Sequence, residues 1–103
     1  MRAYIWSYRV KPECAAAFTR AYGPDGEWAQ FFRRSPGYVR TDLLRDTQAS
    51  DRFMTIDYFA DKKARAALVD AHSEDYAAID KKWQDATLEE AFIGEFEIEG
   101  SQR

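Results

Sequence analysis

The chain has 103 residues, 46% hydrophobic and 16% aromatic, with 15 basic against 18 acidic side chains, a formal net charge of -3, one Cys and one His. A chain of this size supports one core, so a single domain is expected over residues 1–103, with a polar tail from about residue 99. Cys14 and His72 are too few for a disulfide framework or a zinc site, the mixed charge gives no footprint for nucleic acid, and no apolar run approaches a membrane span; the expectations are no metal, no nucleic acid, no membrane and a cytoplasmic location.

Tyr4 to Val10 places Tyr4, Trp6, Tyr8 and Val10 on one side and Ile5, Ser7 and Arg9 on the other, the period of a strand. After Pro12, the stripe Cys14, Ala17, Phe18, Ala21 and Tyr22 predicts an amphipathic helix. Gly23-Pro24-Asp25-Gly26 breaks it, and helical spacing resumes at Trp28, Phe31 and Phe32 with Asp25 as the expected cap. Ser35-Pro36-Gly37 is a turn leading into a strand from Tyr38 to Arg45, and polar residues 46–51 form the loop of a hairpin whose return strand runs from Arg52 to Phe59. Asp61 is placed to cap a helix carrying Ala64, Ala67, Leu68 and Ala71, and Ser73 to cap one carrying Tyr76, Ile79 and Trp83. Thr87-Leu88-Glu89-Glu90 has the spacing of a capping box, predicting a short helical turn before a last strand from Ala91 to Ile98, whose glutamates suit a solvated edge.

The order β-α-β-β-α-β is the ferredoxin-like plan, an α+β fold with an antiparallel sheet and helices on one face. Both faces of the strands are apolar, with Phe53 and Phe59 on one side of the third strand and Met54, Ile56 and Tyr58 on the other. The uncovered face needs a partner, and a second copy of the chain joined through the sheets is the simplest one.

The series Phe18, Ala21-Tyr22-Gly23, Gly26, Trp28-Ala29 and Phe32, then Gly37-Tyr38, Thr41, Arg52, Ile56-Asp57-Tyr58, Gly94 and Phe96 resembles the antibiotic biosynthesis monooxygenase (ABM) domains of the dimeric α+β barrel superfamily over nearly the whole chain. The resemblance implies a homodimer built as a β-barrel with helices outside, and a ligand pocket between sheet and helices in each protomer. It also implies an activity, since members include cofactor-independent monooxygenases that oxidise aromatic polyketides to quinones, and haem-degrading monooxygenases. The first group uses an Asn on the third strand and a Trp four residues later, where Thr55 and Phe59 stand here. The chain contains no Asn, so neither chemistry carries over intact, and Leu68 stands where the haem-degrading group has its Trp.

His72 is the only imidazole and hence one candidate base; its plain alternative is a surface histidine. Asp57 shares a strand face with Phe53, Thr55 and Phe59, a setting that raises a carboxyl pKa unless a cation such as Arg40 on the adjacent strand is near; the alternative is a structural Asp57–Arg40 ion pair. Tyr8, Trp28, Tyr76 and Trp83 suit the wall of a pocket for a planar ligand, although helix-stripe spacing favours plain core packing for Trp28 and Trp83. Cys14 reads as a buried, inert thiol. The expected site is thus Asp57 and His72 as catalytic residues with Tyr8, Trp28, Arg40, Thr55, Phe59 and Tyr76 binding substrate, no metal and no cofactor. The function this implies is a cofactor-independent monooxygenase acting on a small aromatic or polyketide-like compound; the competing reading is a non-catalytic binding or structural module, and the room left between sheet and helices discriminates the two.

Overall fold

A computed structural model describes residues 1–100; Ser101-Gln102-Arg103, the end of the expected polar tail, lies outside the described residues. The elements are β1 (Arg2–Val10), α1 (Ala15–Tyr22), α2 (Glu27–Phe32), β2 (Tyr38–Arg45), β3 (Arg52–Phe59), α3 (Ala64–Ala71), α4 (Ser73–Trp83) and β4 (Thr87–Glu97), with 3₁₀ turns at Pro12–Cys14 and Gln84–Ala86. All strand pairs are antiparallel in the order β2-β3-β1-β4, the ferredoxin-like arrangement. No helix among the described residues is long and apolar enough to cross a membrane.

Three local expectations are corrected. Thr87 to Glu90 is strand rather than helical turn, because Arg9 and Tyr8 of β1 pair with Glu89 and Glu90; the helical turn lies just before, at Gln84–Ala86. Asp25 does not cap α2: Gly26 stands at the N-cap without a side-chain bond, and Asp25 Oδ1 instead receives Arg33 at 2.8 Å. Ser73 is already the first residue of α4, and no side chain caps that helix. Asp61 stands two residues before Lys63, the N-cap of α3, and from there its Oδ1 accepts the N–H groups of Lys63 and Ala64 at 2.8 and 3.0 Å.

Gly26 is required by packing rather than by backbone dihedrals, since a Cβ there would collide with the carbonyls of Arg20 and Ala21 where the chain turns back on α1. The register β1 to β3 puts Tyr4 opposite Asp57, Trp6 opposite Thr55 and Tyr8 opposite Phe53 on the helix-covered face. There Phe18 stacks on Tyr22 at 4.1 Å and meets Tyr8 and Phe53 at 5.2 Å each, while Trp28 stacks on Phe32, which meets Phe59. Phe18 and Phe59 are fully buried. The other face carries Ile5 against Ile56, Ser7 against Met54 and Ala3 against Tyr58, with Leu44 and Phe96 exposed beside them.

Helix α4 contributes no fully buried side chain; Tyr76, Ile79 and Trp83 are half-buried against the core. Polar ties hold both its ends, Arg34 to Asp75 at 2.7 Å and the Trp83 indole N–H to Glu27 at 2.9 Å.

Candidate functional site

Alternation along β3 turns Phe53, Thr55, Asp57 and Phe59 inward, as expected, and α2 and α4 lie over them with Trp28, Phe32 and Tyr76. Between these layers is a cleft lined by Trp6, Tyr8, Tyr22, Trp28, Phe32, Thr55, Asp57, Arg65, Tyr76, Asp80 and Glu90. Counting its open mouth it holds about 440 Å³, but the centre of a water molecule fits into only about 40 Å³ of it. A water needs roughly 10–15 Å³ on this measure, so the throat accommodates about three waters.

Asp57 is the acid in this aromatic wall and is 6% exposed. Its Oδ1 accepts the Thr41 hydroxyl at 2.7 Å, and that hydroxyl also contacts the Tyr38 hydroxyl at 2.8 Å. Burial raises the Asp57 carboxyl from 3.8 to about 6; the Thr41 hydrogen bond and the Arg65 charge moderate the rise. Tyr8 shares a hydrogen bond of 3.2 Å with Thr55, and burial pushes its phenol well above its ordinary value. Burial likewise raises Tyr22 to about 12, so the Tyr8 and Tyr22 phenols stay protonated at neutral pH.

Arg65 of α3 enters the cleft from the side. Its guanidinium lies 5.2 Å from the centre of the Tyr4 ring and 5.9 Å from that of Tyr76, and donates through Nη2 to the Tyr76 hydroxyl at 3.4 Å. Its Nε is buried with no hydrogen-bond partner, as is the indole Nε1 of Trp28. The Trp28 N–H faces the Tyr22 oxygen closely enough to moderate the rise in that phenol's pKa, but without the geometry of a hydrogen bond.

The structure therefore brings together Tyr8, Trp28, Thr55, Asp57 and Tyr76 of the expected site. It separates the others. Arg40 pairs with Asp42 at 3.2 Å and lies over the Tyr58 ring at 4.3 Å on the opposite face, so the expected Asp57–Arg40 pair does not form; the residue opposite Asp57 is Thr41. Phe59 is core, fully buried behind the cleft. His72 joins α3 to α4 and its Nδ1 faces Arg34 at 3.2 Å, beside a separate surface groove lined by Pro36, Lys63, Ala67 and Leu68. Sequence reasoning missed Arg65, Thr41, Tyr22, Asp80 and Glu90. Among the described residues no cluster of three His, Cys, Asp or Glu side chains is placed to hold a metal.

The arrangement suits proton abstraction from a weakly acidic compound, since a carboxyl titrating near 6 beside protonated phenols is a base matched to neutral pH. Solved structures share the fold. SnoaB, a cofactor-independent oxygenase from Streptomyces nogalater, is 20% identical, with 97% of this chain and 94% of that one covered and a TM-score of 0.69. A proposed antibiotic biosynthesis monooxygenase from Deinococcus radiodurans is 15% identical, with 100% and 97% covered and a TM-score of 0.75. PA3566 from Pseudomonas aeruginosa is 16% identical, with 92% and 90% covered and a TM-score of 0.64. No curated protein matches the chain significantly. The model of the antibiotic biosynthesis monooxygenase family matches residues 1–79, more than three quarters of the sequence, and the chain belongs to that family.

Proposed function

We propose that the protein is a cofactor-independent monooxygenase that oxidises a small aromatic substrate with dioxygen, with Asp57 as its base. The observation that carries this reading is the buried carboxyl in the wall of an aromatic cleft, held near 6 by burial and free to accept a proton at neutral pH. Thr41 fixes the carboxyl through Oδ1. Deprotonation leaves an electron-rich carbanion or phenolate that reduces dioxygen. One oxygen atom is retained as a new carbonyl, and the two hydrogens lost by the reacting carbon leave with the other as water. The aromatic walls orient a planar ring and keep bulk water from the anion.

Aerobic incubation with anthrones tests this: dioxygen uptake with one quinone formed per dioxygen is expected, and no uptake above background overturns it. The narrowness of the throat favours a second reading, a non-catalytic module whose aromatics are all core, and this is the reading that absent uptake together with absent ligand binding would establish.

The dimer belongs to the same proposal. The sheet face carrying Ile5, Met54, Ile56 and Tyr58 is apolar along β1 and β3, with the Arg40–Asp42 pair beside them on β2, and has no layer of its own chain over it; two copies packed face to face bury it. A glutamate at its centre, Ile56→Glu, should convert a dimer to monomer by sedimentation, because two such carboxylates would be forced together in an apolar interface. A dimer unaffected by Ile56→Glu would place the contact elsewhere.

A further inference from the structure

A groove separate from the cleft runs along α3, between that helix and the turn at Ser35-Pro36-Gly37. Water centres reach about 410 Å³ of it, against about 40 Å³ in the cleft throat, so there is more room here than beside Asp57. The room has a local cause. Ala64, Ala67 and Ala71 line the groove with single methyl groups, buried Leu68 lies among them, and Gly37 admits the turn so close to α3 that a Cβ on it would stand 2.7 Å from that of Ala64. The volume is that of a small-molecule site, and the apolar side chains along it are too few and too small for the roughly 800 Å² that a protein partner covers. No Phe, Tyr or Trp lines it, so it offers a planar ring nothing to stack on and suits an aliphatic chain better.

Its ends are polar. Lys63 is the N-cap and His72 the C-cap of α3, which at eight residues is about 12 Å long, and Arg34 stands beside His72. The Arg34 guanidinium is held on three sides, over the Phe31 ring at 5.1 Å, by Asp75 Oδ2 at 2.7 Å and by His72 Nδ1 at 3.2 Å. Both hydrogen bonds leave from Nη1, so Nε and Nη2 are uncommitted among the described residues. A guanidinium only donates; His72 Nδ1 therefore accepts, and Nε2 is the nitrogen left to donate. The acid in the lining, Asp61, has its Oδ1 on the N–H groups of Lys63 and Ala64. Two cations to one acid make the lining positive on a chain of net charge -3, and Asp75, which balances Arg34, stands outside it.

We propose that this groove binds a small aliphatic carboxylate, its chain along α3 and its acid on Arg34 and His72. The apolar middle takes the chain, and a guanidinium already oriented by Phe31, His72 and Asp75 loses little freedom on meeting the acid. His72 then serves as a donor to an anion and not as a base in the cleft. The site does not rest on the proposed oxidation.

Titration with octanoate, octan-1-ol and octyltrimethylammonium, followed by amide chemical shifts, tests it. Octanoate should bind more tightly than the alcohol by about fivefold or more, the effect of a charge-assisted hydrogen bond in a partly exposed site, and the cation should bind weakest. Shifts should concentrate at residues 34–37 and 63–72. Arg34→Gln should bring octanoate to within about twofold of the alcohol while leaving the alcohol itself unchanged, and Lys63→Gln should weaken octanoate less than Arg34→Gln does. Ala67→Trp, at an exposed position where the indole fills the groove without entering the core, should remove binding of both chains. The proposal is overturned if the alcohol binds as tightly as the acid, if the shifts centre on Tyr8, Thr55 and Asp57, if Arg34→Gln weakens acid and alcohol equally, or if Ala67→Trp leaves octanoate binding intact. An oligomer that dissociates in Ala67→Trp would make the groove a contact between copies and overturn the ligand site as well.

Discussion

Asp57→Asn should lower turnover by roughly 10²–10⁴-fold, the usual contribution of a positioned base, while making the folded protein more stable at neutral pH. The amide keeps an oxygen to accept the Thr41 hydroxyl and loses only the charge. In the folded protein the Asp57 carboxyl titrates at about 6 against 3.8 unexposed to burial, so the native state holds the proton more tightly than the unfolded chain. Stability from this group is therefore complete below pH 3.8 and is lost as pH rises through about 6, and above that the buried charge costs up to about 3 kcal/mol. Wild type and variant should melt alike near pH 3.5. At pH 8 the variant should melt higher by roughly 5–15 °C, for a gain of about 1–2 kcal/mol in a domain of this size. A melting difference independent of pH would show that Asp57 is not the buried acid described here.

Phe18→Ala should produce the largest loss of stability. Phe18 is fully buried and is the ring on which Tyr22, Tyr8 and Phe53 meet, at 4.1, 5.2 and 5.2 Å. Removing it leaves a cavity bounded by rigid neighbours, and such truncations cost about 3–5 kcal/mol, a large share of the 5–15 kcal/mol that holds a small domain. Chemical denaturation should show the midpoint falling accordingly. Phe92→Ala, at a ring 51% exposed and in contact with Trp6, should change it by about 1 kcal/mol or less. Because Tyr8 and Tyr22 also line the cleft, Phe18→Ala should further weaken ligand binding at temperatures where it remains folded.

Strands β2 and β3 were legible to the residue, because Ser35-Pro36-Gly37 and the polar loop at 46–51 leave only one alternating run on either side. The capping-box spacing at Thr87 to Glu90 was misleading because a local pattern of four residues competes with pairing to β1, and pairing between distant segments wins. The Asp57 environment shows the same limit in a smaller form. Its place on an inward face followed from alternation alone, but its partner depended on register, and a shift of one residue exchanges Arg40 on the outer face for Thr41 on the inner. Arg65 follows Ala64 on the helical stripe and by spacing points to one side of it. Its long apolar stem carries the guanidinium into the cleft, and no periodicity reports such reach.

The scarcity of buried side chains in α4 gives the cleft a kinetic character. A helix held by half-buried rings, two polar ties and no side-chain cap has a low free energy of local opening, while β1 and β3, bonded on both edges, unfold only with the whole domain. Amide exchange should therefore be fastest, among the elements over the cleft, in α4, and a saturating anthrone held without dioxygen should slow it there first. The throat that takes three waters at rest would then widen on the timescale of that fluctuation, so that admission of an aromatic ring is set by the opening rate of one helix and not by the diameter of the resting cavity.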